Sequence, residues 1–461
     1  MKYWSNSTRQ TPPQLLSLTG LLAYAACSLS SAADSTNTLK ENFRDIPTPS
    51  AFHVEATLLD GPVFADANGK TLYKWSQHRL RNGYSGEAPG TPECYDDVLT
   101  VTAGLMSPYP PGIILPELDS RVSCTDLWPP VFADDDAETL GEWTIVERKD
   151  GSKQWAFDEQ PLYTSVRDSR PGDVLGGTTR RFGGDSPAKR TPIGPPTLLP
   201  PGFAVRSTFI GRLLATDKNN SVYSFVQDSA IAAACVEDCL NKWQPVIAPG
   251  LARPQGEWSV LERSPGVKQW VFRGKPLYTY SLDRRSWSLK GTDIPGWENV
   301  FTQVAPRLPS SFTSQATIQG NVLANANGKT IYVYNCGEDS ADQLACDHPE
   351  TTQIYRLAMC GGGDPEKCLS YWPYVEAQVN ESAPDESPWT IVSIDPMTGR
   401  FASANQSSAL RVWAYRDRPV FLYGEDKRPG DVNGGGTGEW RGQRNGLRAI
   451  WLRDDYMSGI L

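Results

Sequence analysis

The sequence predicts an all-β protein of three tandem antiparallel repeat modules, each of two small sheets of three to four strands. Three observations carry this. One block is written three times: GPVFADANGKTLYKW from Gly61, GRLLATDKNNSVYSF from Gly211 and GNVLANANGKTIYVY from Gly320. Each copy is followed downstream by a Cys-x-x-x-Trp pair, namely Cys124 and Trp128, Cys239 and Trp243, Cys368 and Trp372. A second block follows each first one, running from a Trp-started strand through Lys-Gln-Trp-x-Phe to Pro-Leu-Tyr. It spans Trp143 to Tyr163 and Trp258 to Tyr278, and returns in looser form from Trp389 to Phe421. Apolar residues alternate around Asn-Gly and Asp-Gly pairs, the strongest hairpin cue, while helical periodicity is nearly absent. Whether the six half-units close into a propeller-like ring the sequence leaves open.

The chain has 461 residues with 15 Trp and 18 Tyr, enough ring-bearing surface for a folded, strand-rich protein. A net charge of -9 excludes nucleic acid and an anionic membrane face as partners, because no basic stretch can release counterions.

Residues 1–33 read as an export signal. Lys2 and Arg9 precede an apolar run from Leu15 to Ala26 that is too short to span a bilayer. Ala25-Ala26-Cys27-Ser28 reads as a lipobox with Cys27 as the lipidated residue, although Tyr24 stands where Leu is usual. Ser31-Ala32-Ala33 would serve ordinary cleavage. Either way the mature chain is extracytoplasmic: an outer-membrane or cell-surface lipoprotein, else secreted or periplasmic. It meets a membrane only through a lipid anchor.

Residues 34–50 are polar and end in Pro47-Thr48-Pro49-Ser50, a tether. Module 1 runs over 51–195, module 2 over 203–305 and module 3 over 312–461. Proline-dense seams after Thr191 and Val304 predict modules held in a defined relation. Within module 1, Asn68-Gly69 and Asp150-Gly151 each join two strands, and Gln160-Pro161 turns into a third. IAAACVEDCLNKW from Ile231 predicts a short helix with Cys235 and Cys239 on one face. NVFTQVAP from Asn299 and LRAIWL from Leu447 add one strand each.

Eight cysteines remain besides Cys27, an even number that reads as disulfides in an exported chain. The repeat suggests Cys94 with Cys124, Cys235 with Cys239 and Cys360 with Cys368, leaving Cys336 and Cys346 to close an insertion in module 3.

The form aromatic-x-aromatic-x-x-Asp recurs as Tyr223, Phe225, Asp228; as Tyr278, Tyr280, Asp283; and as Phe421, Tyr423, Asp426. Tyr163 and Asp168 keep only its ends. Residues two apart on a strand share a face, so each aromatic pair is one stripe. Core packing with the Asp capping the next turn is the favoured reading; a platform that stacks on a sugar is the alternative.

These motifs, with the Cys-x-x-x-Cys-x-x-x-Trp of Cys235 to Trp243, the GKPLYTY from Gly274 and the RPGDVNGGG from Arg428, resemble the bacterial secreted-repeat lipoprotein family. The likeness runs from about residue 58 to 451. It implies an exported or lipid-anchored surface protein of a family without an established role. The chain departs from the pattern at His78 and Gly337, which stand where the motif's Asp is expected.

Two acidic loops, Asp168 to Asp173 and Asp426 to Asp431, place carboxylates across a Pro-Gly turn, and calcium favours such oxygen-rich loops. Both contain an Arg, and module 2 has Arg-Arg-Ser-Trp-Ser instead, so turns closed by their own Asp side chains are favoured and no metal is expected. Zinc on Cys346, His348, Cys360 and Cys368 is a weaker alternative. No cofactor is expected. The three histidines recur in no module, and no nucleophile elbow, phosphate loop or dinucleotide fingerprint occurs.

The expectation is therefore a non-enzymatic surface protein that binds another protein, a glycan or an envelope component. The alternative is an extracellular hydrolase or redox accessory using acidic-loop carboxylates. A deep cleft with two facing carboxylates, or a carboxylate pKa strongly raised there, would favour the hydrolase.

Overall fold

Each copy of the first block turns back for a local reason, with a bridge beside the turn at Ala65–Thr71, Ala215–Ser221 or Ala324–Thr330. In Asp66-Ala-Asn68-Gly-Lys70 the Asp66 carboxylate accepts the N–H groups of Asn68 and Lys70, both at 2.9 Å, and Gly69 takes a φ of 78°. Asn325 does the same for Asn327 and Lys329 in module 3. The computed structural model describes residues 40–80, 83–97, 122–176, 190–283, 286–335, 364–403, 405–434 and 446–454. Every pair of named strands in it is antiparallel.

The hairpins lie before that turn: Phe52–Ala56 with Pro62–Asp66, Phe203–Thr208 with Gly211–Thr216, and Phe312–Thr317 with Gly320–Asn325. The hairpin expected across Asn68-Gly69 is not formed, because the strands on its two sides, Pro62–Asp66 and Tyr73–Lys74, enter different sheets. In modules 2 and 3 a strand from the module's end, Phe301–Val304 or Trp451–Asp454, adds to the hairpin with a register shift. The larger sheet interleaves the two blocks. In module 1 its order is Trp143–Glu147, Lys153–Phe157, Gln160–Tyr163, Tyr73–Lys74, Thr191–Pro192. In module 3 it is Trp389–Ile394, Leu410–Tyr415, Arg418–Phe421, Tyr332–Asn335, Gly446–Ala449. Module 2 repeats this order split into two four-stranded sheets. The half-units are therefore not separate sheets, strand numbers run from two to five, and no barrel closes among the described residues. A tryptophan opens each second block and forms the centre of its core. Trp143 packs on Phe52, Phe64 and Phe157, Trp258 on Phe203 and Phe272, and Trp389 on Phe312 and Tyr415.

Two further local expectations are corrected. The third strand of the second block is reached through a two-residue turn at Asp158-Glu159, not at Gln160-Pro161, which is already strand. Both turn residues have positive φ, 52° and 61°, as do Arg273-Gly274 and Arg416-Asp417. This is the hairpin turn whose twist suits antiparallel strands, built mostly without Gly. The segment from Ile231 is not a helix through Cys235; only a 3-10 turn, Glu237–Asn241, forms. Short helices stand elsewhere, at Cys124–Leu127 behind a Ser123/Asp126 capping box and at Pro365–Tyr371 behind Asp364.

The tether is also shorter than expected at its C-terminal side. Residues 41–46 pack on the seam after module 1, with Phe43 bridging to Thr197 and Glu41 only 6% exposed. Burial pushes the Glu41 carboxyl up, but hydrogen bonds and charge from Arg212, with Thr197 and Thr302, bring it below its ordinary value. Arg212 meets Glu41 at 2.6 and 3.0 Å, and Thr302 donates at 2.7 Å. Gln303 of module 2 joins module 1 by accepting from Gly61 N–H at 3.1 Å and donating to the Thr57 carbonyl. Leu59 of module 1 and Phe209 of module 2 are buried in the core cluster of module 3. The seams thus hold the modules by buried contacts.

Candidate functional site

The aromatic motif closes on itself. In all three modules the first-block tyrosine donates its hydroxyl to the motif aspartate of the second block: Tyr73 to Asp168 at 2.7 Å, Tyr223 to Asp283 at 2.6 Å, Tyr332 to Asp426 at 2.7 Å. In modules 1 and 3 the other carboxylate oxygen accepts a backbone N–H of the loop beyond, Leu175 at 2.8 Å or Asn433 at 2.9 Å. Burial raises the Asp168 carboxyl to about 6, with Tyr73 and Leu175 pulling the other way, and Asp426 is raised for the same first reason. Tyr223, Tyr278 and Phe421 are fully buried and Tyr280 nearly so. The half-buried Phe225 stacks on Trp297, and the half-buried Tyr423 packs on Trp372.

The reciprocal pairing explains His78 and Gly337. The second-block tyrosine looks back to an acid of the first block. In module 2 this is Asp228, and burial followed by that carboxylate raises Tyr278 to about 12. In module 1, where His78 replaces the Asp, Tyr163 donates instead to Glu87 at 2.7 Å, an acid the sequence reading passed over. In module 3, where Gly337 replaces it, the tyrosine itself is Phe421 and needs no acceptor. Gly337, Cys336, Cys346, His348 and Cys360 lie outside the described residues.

Behind these tyrosines lies a network that sequence reasoning also missed. Arg148 donates to Gln154 at 2.6 Å and to the Cys94 carbonyl at 2.8 Å, and Gln154 donates to the Leu162 carbonyl at 2.8 Å. Arg263, Gln269, Cys235 and Leu277 repeat it in module 2. At the corresponding positions module 3 has Ile394, Val412 and Phe421, all buried. The signal was present in the sequence as Glu-Arg at 147–148 and 262–263 with Lys-Gln-Trp.

The sulfur bridges Cys94–Cys124 and Cys235–Cys239 are formed, and Cys368 is disulfide-bonded as well. In the acidic loops, Asp173 accepts the N–H groups of Ser169 and Arg170 at 3.1 and 2.9 Å, and Asp431 accepts those of Lys427 and Arg428 at 3.0 and 2.9 Å. With Asp168 and Asp426 held as above, the four carboxylates face protein donors. Among the described residues no three His, Cys, Asp or Glu side chains gather as metal ligands.

The loops build one space between modules. A cavity of about 270 Å³ lies where module 1 meets module 3. It is lined by Leu58, Leu59, Asp60, residues 169–170 and 172–175, Ser387, Pro388, Thr390, Arg416 and Asp417. The Arg416 guanidinium meets Asp60 at 2.5 Å and the Val174 carbonyl at 2.6 Å, and Arg167 donates to the Arg416 carbonyl at 3.0 Å. Burial lowers the Arg416 pKa, but Asp60 outweighs it and holds the cation firmly charged. Asp168 is 1% exposed and does not line this cavity.

Set beside known proteins, residues 144–184 match the family described as a secreted repeat of unknown function, the family that the motifs resemble. No curated protein and no solved structure matches the chain. The family and the disulfides agree in assigning the folded part to an extracytoplasmic compartment.

Proposed function

We propose that the protein is a lipid-anchored, non-enzymatic binding scaffold of the cell envelope, attached through Cys27 and presenting its inter-module loops to a glycan, a protein or an envelope component. One observation carries the reading: the repeated aromatic and acidic side chains, the natural candidates for chemistry, are closed against each other in every module. What faces a shared open space is instead the set of loops between modules 1 and 3. The raised Asp168 carboxyl, which favours a hydrolase, has both oxygens engaged by Tyr73 and Leu175 away from that space, and the carboxylates that line the space are held by Arg416 on Asp60, by Ser169 and Arg170 on Asp173, and by Thr390 on Asp417.

A glycan and envelope-component binding screen on the mature protein, with and without chelator, tests this. The expected result is saturable binding that chelator leaves unchanged. Turnover of a bound polymer would replace this reading with the hydrolase, and binding abolished by chelator would make the Pro-Gly loops calcium sites.

A further inference from the structure

We infer that the cleft between modules 1 and 3 is a sugar site that takes one uncharged, pyranose-sized unit. The inference rests on the scaffold reading and assigns its ligand class.

The first argument is charge. The lining brings Arg170 and Arg416 against Asp60, Asp173 and Asp417, so the two signs nearly cancel. Asp60 and Arg416 neutralise each other in a buried ion pair, so a charged ligand meets Arg170 on one side and Asp173 and Asp417 on the other. A neutral ligand rich in hydroxyls is repelled by neither, because each hydroxyl both donates to a carboxylate and accepts from an N–H or O–H.

The second argument is the surface between the charges. Leu58 and Pro388 supply apolar wall, and Ser169 and Thr390 supply hydroxyls. A pyranose has the same make-up, C–H faces with a hydroxyl rim. At about 30 Å³ per water the cavity displaces roughly nine waters, the scale of one ring and not of a peptide or an acyl chain.

The third argument is rigidity. The Pro-Gly loop is closed by Asp173, and Thr71 donates to the Asp173 carbonyl at 2.7 Å. On the facing wall, Thr390 reaches Asp417 at 3.3 Å, and Arg416 is tied to module 1 by its guanidinium and its carbonyl. Arg416 and Asp417 both hold positive φ, 50° and 61°, in a turn that faces a neighbouring module. Polar groups held before the ligand arrives lower the ordering cost of binding.

The test is calorimetric titration of the mature protein with glucose, galactose and N-acetylglucosamine, against glucuronate, glucosamine and glycine as charged or zwitterionic probes. At least one neutral sugar binds, and the charged probes bind at least tenfold more weakly. Asp417→Asn keeps a residue that tolerates the left-handed turn and removes the carboxylate; it weakens the sugar at least tenfold. Ser169→Trp at the exposed mouth abolishes binding, while Glu159→Gln in the matching turn of module 1 leaves it unchanged. Tighter binding of a charged probe, or sugar binding indifferent to both cleft variants, overturns the inference. A protein or lipid ligand found by the wider screen with no sugar bound sinks this inference alone; no ligand of any class sinks the scaffold reading with it.

Discussion

Modules 1 and 2 fill the space behind their second-block tyrosine with a guanidinium, an amide and a phenol, whereas module 3 fills it with Ile394, Val412 and Phe421 on the same backbone. The contrast teaches that this position has two self-consistent solutions and that mixtures are disfavoured. Each polar member satisfies another, so removing one strands its partner in a low dielectric, while replacing all of them removes the demand altogether. Module 3 made the exchange at every position, including the acid that Gly337 replaces.

The largest expected effect breaks that consistency. Gln154→Val puts the module 3 residue into module 1, leaving Arg148, 4% exposed, without its 2.6 Å acceptor and the Leu162 carbonyl with the Val131 N–H but without its side-chain donor. Urea unfolding should show a loss of about 4 kcal/mol. The double change Arg148→Ile, Gln154→Val, which leaves the Tyr163–Glu87 pair in place, should recover at least half of that loss; simple additivity of the two would refute the network.

A feature of modules 1 and 3 sharpens the contrast next. The folded Asp168 carboxyl holds its proton up to about pH 6, above its ordinary 3.8, so ionising it opposes folding. Its stabilising contribution is full below about pH 4 and is lost as pH rises through 6, a change of about 3 kcal/mol. Asp168→Asn should flatten the pH dependence of unfolding between 4 and 6; an unchanged slope would show that burial does not raise this carboxyl.

The smallest effect should be indifferent to which solution a module uses. Gly176, Gly291 and Gly434 lie against the Cys-x-x-x-Trp tryptophans, and a Cβ on Gly434 would come within 2.6 Å of Trp372 and 2.9 Å of Tyr332. Alanine at each should cost about 2 kcal/mol by overpacking, similar in the three modules when thermal unfolding is compared.

Much of this was legible because it is written in local pattern. Alternation around Asn68-Gly69, the repeated tryptophans and the even cysteines carried the fold class, the aromatic cores and the bridges at Cys94 and Cys235. The Asp158-Glu159 turn was not legible, since it asks two charged residues to adopt a conformation that usually signals glycine. The helices at Cys124 and Pro365 are one or two turns long, too short for a period, though their caps were there to be read. The tyrosine-acid pairs were visible as a motif but not as a pairing. Their partners lie up to 95 residues apart, and Glu87 belongs to no repeat.

Glu41 has a consequence for anyone who wishes to dissect the molecule. Its carboxylate is neutralised by Arg212 and hydrogen-bonded by Thr197 and Thr302, a partner 261 positions away in the chain. During synthesis that clasp stays open until nearly two thirds of the polypeptide has emerged. Cutting at the proline seams, the obvious place for a scissors experiment, would liberate fragments that each carry half of a latch; an expression unit begins before residue 41 and runs on into module 3, which covers Leu59, Asp60 and Phe209.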